Sequence, residues 1–280
     1  MLENVLVGVD GGSRGRDAVA LAQRLMGAGG KLTLAHVHPG RLRPLHAISP
    51  SLIAQERESS HALLERELAA TGVTAELISV EALSPGRGLH EQAQERGADL
   101  LVVGSSARGA LGRAMLGDDT LAALNGAPCA VAIAAIGLAE RTSPFATIGV
   151  AYDGSPESGA ALAAARELAS RSGASVRALQ VVSIPSVAYT GIVPPAIGED
   201  VETMLHEAQA RISSLGGVEG RAVYGLAGEE LASFGDEVDL LLAGSRSYGP
   251  VKRLVLGSTS AYLARHARSS LLVLRRPHEG

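Results

Sequence analysis

The chain has 280 residues, 46% of them hydrophobic, enough for one large core or two cores of ordinary domain size. The formal net charge is −4 with no basic run of five or more, which argues against a nucleic-acid footprint, and with no Trp and two Phe a stacking platform for bases is nearly excluded. A single cysteine, Cys129, rules out an internal disulfide and points to a reducing compartment.

Apolar runs and helical periodicity then alternate along the chain. Residues 4–9 predict a strand, reached directly from Met1 without the charged start and apolar block of a signal peptide. Residues 13–28 predict an amphipathic helix with Ala18, Leu21, Ala22 and Leu25 on one face. A strand over 31–38, a loop over 39–50, a helix over 51–70 and a strand over 73–80 follow. The helix over 85–96 stops at Gly97, as a glycine beyond the last turn does. A strand over 99–104, a short helix over 118–125 and a last strand over 129–133 complete this half. The apolar stretch 127–139 is too short to span a bilayer, and Asn125, Gly126 and Pro128 interrupt its approach. The expectation is a soluble, cytoplasmic protein with no membrane or nucleic-acid partner.

The same order then returns. Strands are predicted near 147–152, 175–182, 220–224, 238–243 and 271–274, and helices near 156–171, 199–214, 229–234 and 258–267. Val5-Leu6-Val7-Gly8-Val9-Asp10-Gly11-Gly12-Ser13 matches Ile148-Gly149-Val150-Ala151-Tyr152-Asp153-Gly154-Ser155. Asp99-Leu100-Leu101-Val102-Val103-Gly104-Ser105 matches Asp239-Leu240-Leu241-Leu242-Ala243-Gly244-Ser245. The offset is 143 from Asp10 to Asp153 and 140 from Gly104 to Gly244. A repeat this long, with alternating strands and helices, means two tandem domains rather than a solenoid. Continuous Val/Leu/Ile runs joined by helical crossovers mean parallel sheets covered on both faces. The fold class is α/β: two tandem flavodoxin/Rossmann-like domains, residues 1–138 and 145–280, each a five-stranded mostly parallel sheet, joined near 137–144.

Ligands in such sheets sit beyond the carboxyl ends of the strands, where strand order reverses. The stretch 244–258 has the right grammar. A strand ends in a small-residue turn, a loop carries Lys252 and Arg253, and Gly257-Ser258 opens a helix. Free backbone N–H groups and the positive end of the helix dipole then face an anion. The alternative is a solvated basic loop with Ser258 as an ordinary N-cap.

These motifs resemble the universal stress protein family in its tandem two-domain form, over about residues 3–135 and 146–276. The family's nucleotide motif, Gly-x2-Gly-x9-Gly-Ser/Thr, stands here as Gly244-x2-Ser247-x9-Gly257-Ser258 and as Gly104-x2-Ala107-x9-Gly117-Asp118. The resemblance implies ATP, with or without Mg2+, as the ligand. It places adenine against Ala151, Asp153 and Val181, the ribose against Ala243, Gly244 and Ser247, and the phosphates on Gly257, Ser258 and Thr259. The first-repeat counterparts are Asp10, Val37, Gly104 and Gly117. It also implies a pseudo-dimer whose last strands pair, and leaves open whether whole chains form homodimers.

The halves differ. At the phosphate position Ser258 becomes Asp118, a carboxylate that caps the helix itself and repels phosphate, and Lys252 becomes Gly112. Ser247 and Ala107 replace the family's second glycine, at a cost of about 1–2 kcal/mol if that position needs positive φ. Asp10 and Asp153 precede glycines in tight turns, where Asp is common for turn reasons alone. His36 and His38 lie on one side of a strand with no third metal ligand in view, so they are read as satisfied core histidines. Cys129 is read as a buried inert thiol, and the loops 39–50 and 184–198 are long enough to act as lids. No catalytic triad, paired carboxylates or Walker A motif is present. The favoured function is a nucleotide-dependent stress or signalling protein working through its second repeat. A tandem interaction scaffold without nucleotide and a slow ATPase are the alternatives.

Overall fold

The computed structural model describes residues 2–38, 50–105, 125–183, 195–245, 254 and 257–275. The first half runs β1 (Asn4–Gly8), α1 (Ser13–Leu25), β2 (Lys31–His38), α2 (Pro50–Thr71), β3 (Glu76–Glu81), α3 (Pro85–Glu95), β4 (Leu100–Gly104) and β5 (Ala130–Ala134). The second runs β6 (Thr147–Ala151), α4 (Pro156–Ser172), β7 (Ser175–Val182), α5 (Pro195–Ser213), β8 (Glu219–Tyr224), α6 (Ala227–Gly235), β9 (Leu240–Gly244), α7 (Ser258–His266) and β10 (Ser270–Leu274). The helix expected over 118–125 and both long loops fall outside the described residues.

The ten strands of the described residues form one sheet in the order β3-β2-β1-β4-β5-β10-β9-β6-β7-β8. Every pairing within a half is parallel. β5 and β10 pair antiparallel, with Leu271 opposite Ile133, Leu272 opposite Ala132 and Val273 opposite Val131. Under the 140-residue offset this pairing is self-complementary and centred on Ala132 and Leu272. Each half thereby covers the other's open edge. The strands are buried on both sides by alternation. Val5 and Val7 enter one core cluster with Ala18, Leu21, Ala22 and Leu25 of α1 and the inner face of α4. Leu6 enters the other, with α3, α6 and α7.

Local chemistry sets the ends of the elements. Ser84 and Ser155 cap α3 and α4 by accepting from the Arg87 and Ser158 N–H groups, each with proline in the first turn. Gly173 closes α4 at φ 75°. The recurring Asp99 and Asp239 have one structural job: each carboxylate accepts from the two N–H groups that start β1 or β6.

The joint between the halves is built rather than slack. Leu138–Glu140 forms a 3-10 turn. Asp17, 3% exposed, accepts from the Gly137 and Ala139 N–H groups at 2.9 and 2.8 Å. Arg24 donates to the Leu138, Arg141 and Ser143 carbonyls and lies over the Phe145 ring. From α4, Arg171 donates to the Leu25 and Met26 carbonyls that end α1. Among the described residues no helix is long and apolar enough to cross a membrane.

Candidate functional site

Strand order reverses beside β6, which has β7 on one side and β9 on the other. A cleft of about 750 Å3 opens there, within the range of small-molecule sites. It gathers Ala151 at the end of β6 and Asp153 beyond it, Val181 on β7, Ala243 and Gly244 ending β9, and Gly257, Ser258 and Thr259 at the start of α7. These residues lie far apart in the chain, and the topology brings them to one sheet edge. Ser247, Lys252 and Arg253 lie outside the described residues, as does Gly117.

The start of α7 differs from the ordinary reading of Ser258. The N-cap is Gly257, at φ −66° and ψ 168°, and Ser258 is the first helical residue. Gly257 has no side chain with which to cap the helix, and the first turn holds no acid, so the dipole end stays electropositive. A Cβ on Gly257 would meet nothing within 4 Å.

Gly244 has another reason to be glycine. A Cβ there would lie 2.7 Å from the Glu157 Cβ and 2.8 Å from its carbonyl oxygen. Gly104 stands likewise against the Arg14 backbone, where a Cβ would lie 2.8 Å from the carbonyl carbon. Both glycines let the first turn of a helix close on the sheet, as a helix–strand packing glycine does.

The aspartates build their turns. Asp10 Oδ1 accepts from the Gly12 N–H at 3.0 Å, and Asp153 Oδ1 accepts from the Ser155 N–H at 3.0 Å. The intervening Gly11 and Gly154 both sit at φ 80°, which glycine alone adopts without strain.

The sequence reading missed the helical wall of the cleft. Met204, Glu207 and Arg211 of α5 line it, at the spacing of one helix face. Arg211 covers the Asp153–Gly154 turn: its Nε would lie 3.4 Å from a Cβ on Gly154. In the first half Leu63 covers Gly11 in the same way. The helix containing Arg211 was legible, but its rotation against the sheet was not. Gln180 also lines the cleft, buried, with an Oε1 that has no hydrogen-bond partner among the described residues.

Below the equivalent edge of the first half runs a polar chain. His36 Nδ1 bonds Ser60 Oγ at 2.9 Å, Ser79 Oγ donates to Ser60 Oγ at 2.8 Å, and His38 Nε2 bonds Ser79 Oγ at 3.0 Å. Gln180 and Ala222 pair on β7 and β8 as His36 and Ser79 do on β2 and β3. Burial, reinforced by His38, lowers the His36 pKa, and Asp10 opposes the shift. Val37 lies between the two histidines in sequence. Cys129 is buried, and burial pushes its thiol pKa up to about 12.

The profile of the Universal stress protein family matches residues 1–135 and again 144–275. A universal stress protein of Mycobacterium tuberculosis (strain ATCC 25618 / H37Rv) is 31% identical over 185 residues, which are 64% of this chain. The chain spans 62% of that relative's length, and the same holds for the Mycobacterium bovis relative. A universal stress protein structure from Archaeoglobus fulgidus DSM 4304 superposes with a TM-score of 0.68 at 17% identity, covering 99% of this chain and all of that one. A putative universal stress protein from Pseudomonas aeruginosa UCBPP-PA14 gives 0.62 at 18% identity, covering 98% and 93%. Those two likenesses concern the fold, whereas the double profile match covers nearly the whole chain: the protein is a member of the universal stress protein family, with two family domains in tandem.

Proposed function

We propose that this chain is an ATP-binding stress or signalling protein, and that its second half holds the nucleotide. The observation that carries the proposal is the 750 Å3 cleft at the β6/β9 reversal. It collects the described residues expected to meet adenine, ribose and phosphate, and it ends on a helix start whose N-cap is a glycine. Adenine would lie against Ala151, Asp153 and Val181, and the ribose against Ala243, Gly244 and Ser247. The phosphates would take Gly257, Ser258 and Thr259, with Lys252 and Arg253 nearby. Charge-assisted hydrogen bonds at roughly 1.5–3 kcal/mol each would dominate the affinity. No group of three metal-ligating side chains occurs among the described residues, so Mg2+ would arrive on the phosphates.

The reading assigns the first half, through Asp10, Val37, Gly104 and Gly117, a structural role in an intramolecular pseudo-dimer with boundaries near 138 and 145. Bound nucleotide would shift conformation or partner choice in the cytoplasm rather than serve as a substrate. Calorimetry with Mg-ATP tests this: saturable binding at one site per chain is expected. Absence of binding leaves the scaffold reading standing instead.

A further inference from the structure

A second cavity lies at the seam of the halves, away from the β6/β9 cleft. Its volume is about 420 Å3. Apolar walls come from Ile133 and Leu271 of the paired strands and from Leu263 and Ala264 of α7. The polar groups are few. Ser105 and Ser269 line the cavity, and the Oγ of each is buried with no hydrogen-bond partner among the described residues. Ser105 is 6% exposed, so water does not compensate it freely. Arg141 and Arg268 stand at the same cavity.

Arg141 and Arg268 also line an adjoining cleft with Asp236, Glu237 and Asp239. Asp236, the acid nearest Arg268, lies 3.7 Å away in an exposed, weak pair. Glu237 is engaged by Arg221, and Asp239 by the N–H groups that start β6. Arg141 has no ion pair among the described residues. Desolvation and the neighbouring Arg141 charge lower the Arg24 pKa, and the Asp239 carboxylate opposes them.

The self-complementary β5/β10 pairing identifies what stands at the related position of the other half. There Leu254, fully buried, donates to the Ala127 carbonyl and accepts from the Gly126 N–H. Under the 140-residue offset those partners map to Ala267 and His266, and Ala267 lines the cavity.

We propose that the seam cavity binds a small aliphatic monocarboxylate, its carboxylate taken by Arg141, Arg268 and the two serine hydroxyls and its chain lying on Ile133, Leu263 and Leu271. A dry apolar void would need no hydroxyls, and a plain anion site would need no apolar wall. An amphiphile with one acceptor-rich end satisfies both. This inference is independent of the nucleotide reading.

The test uses the full chain, with octanoate and 1-octanol as probes in calorimetry. Octanoate is expected to saturate one site per chain and to bind about tenfold tighter than octanol, as a charge-assisted pair requires. Saturating ATP leaves octanoate binding unchanged. Ala264→Leu, which fills the cavity, abolishes octanoate binding. Arg141→Gln and Arg268→Gln each weaken octanoate but not octanol, and they keep the experiment decisive if Ala264→Leu does not fold. The proposal is overturned by non-saturable octanoate uptake, by equal affinity for octanol, by displacement with ATP, or by unchanged binding in a folded Ala264→Leu or in both arginine variants.

Discussion

Replacing Gly257 with leucine separates two roles that glycines play around the β6/β9 cleft. The Gly257 backbone, at φ −66° and ψ 168°, is open to any residue, and a Cβ there meets nothing within 4 Å. The cost in folding stability is therefore expected to stay within about 0.5 kcal/mol, the usual range for substitutions that create no clash. The new side chain nevertheless projects at the rim of the cleft, beside the start of α7. If phosphate sits there, losing close approach to even one backbone N–H weakens ATP at least tenfold, or about 1.4 kcal/mol. Gly244→Ala is the contrasting variant. Its Cβ falls 2.7 Å from Glu157 Cβ, so α4 must shift, at a cost of about 1–3 kcal/mol. Thermal unfolding of both variants, paired with Mg-ATP calorimetry, gives the comparison. Gly257→Leu should unfold like wild type and bind poorly, and Gly244→Ala should unfold earlier. Wild-type ATP affinity in Gly257→Leu, or equal destabilisation of both variants, refutes the assignment of these two glycines.

Other consequences concern the fold. Asp17→Ala removes two charge-assisted bonds from the joint and should cost about 3 kcal/mol in urea unfolding, or split the transition in two. The lowered His36 pKa means the folded state holds the ring neutral while the unfolded chain takes up a proton below its ordinary value of 6.5. That stability is fully present above pH 6.5 and is lost as pH falls through the lower folded value. Unfolding at pH 5 and 7.5 should show this loss, and His36→Gln, which copies Gln180, should reduce it; an unchanged pH slope sinks the point. The Cys129 thiol, pushed up to about 12, should resist alkylation at pH 8 in the native protein and react at once when unfolded.

Much of this architecture was legible residue by residue, and the reasons are physical. β2 and β7 fall where the apolar runs put them, because buried parallel strands carry their signal in every residue. α1 shows the same on its buried face, although Met26 caps it two residues before the expected end at residue 28. α5 begins at Pro195, four residues earlier than expected, since proline suits a first turn. Less legible were features that depend on packing between distant segments. Asp17 and Arg24 look like surface charges of an amphipathic helix until the joint folds onto them. Gly244 reads as part of a nucleotide motif, and only the approach of Glu157 shows that packing also demands it. Arg211 was invisible as a site residue because nothing in a helical pattern says which flank of the apolar face meets a cleft.

Where ATP sits is measured directly by photolabelling with 8-azido-ATP followed by peptide mapping. One label per chain is expected, prevented by excess ATP, on the peptides that carry Ala151–Asp153 or Val181. Labelling confined to the peptides of Asp10 and Val37, or labelling that ATP does not prevent, contradicts it.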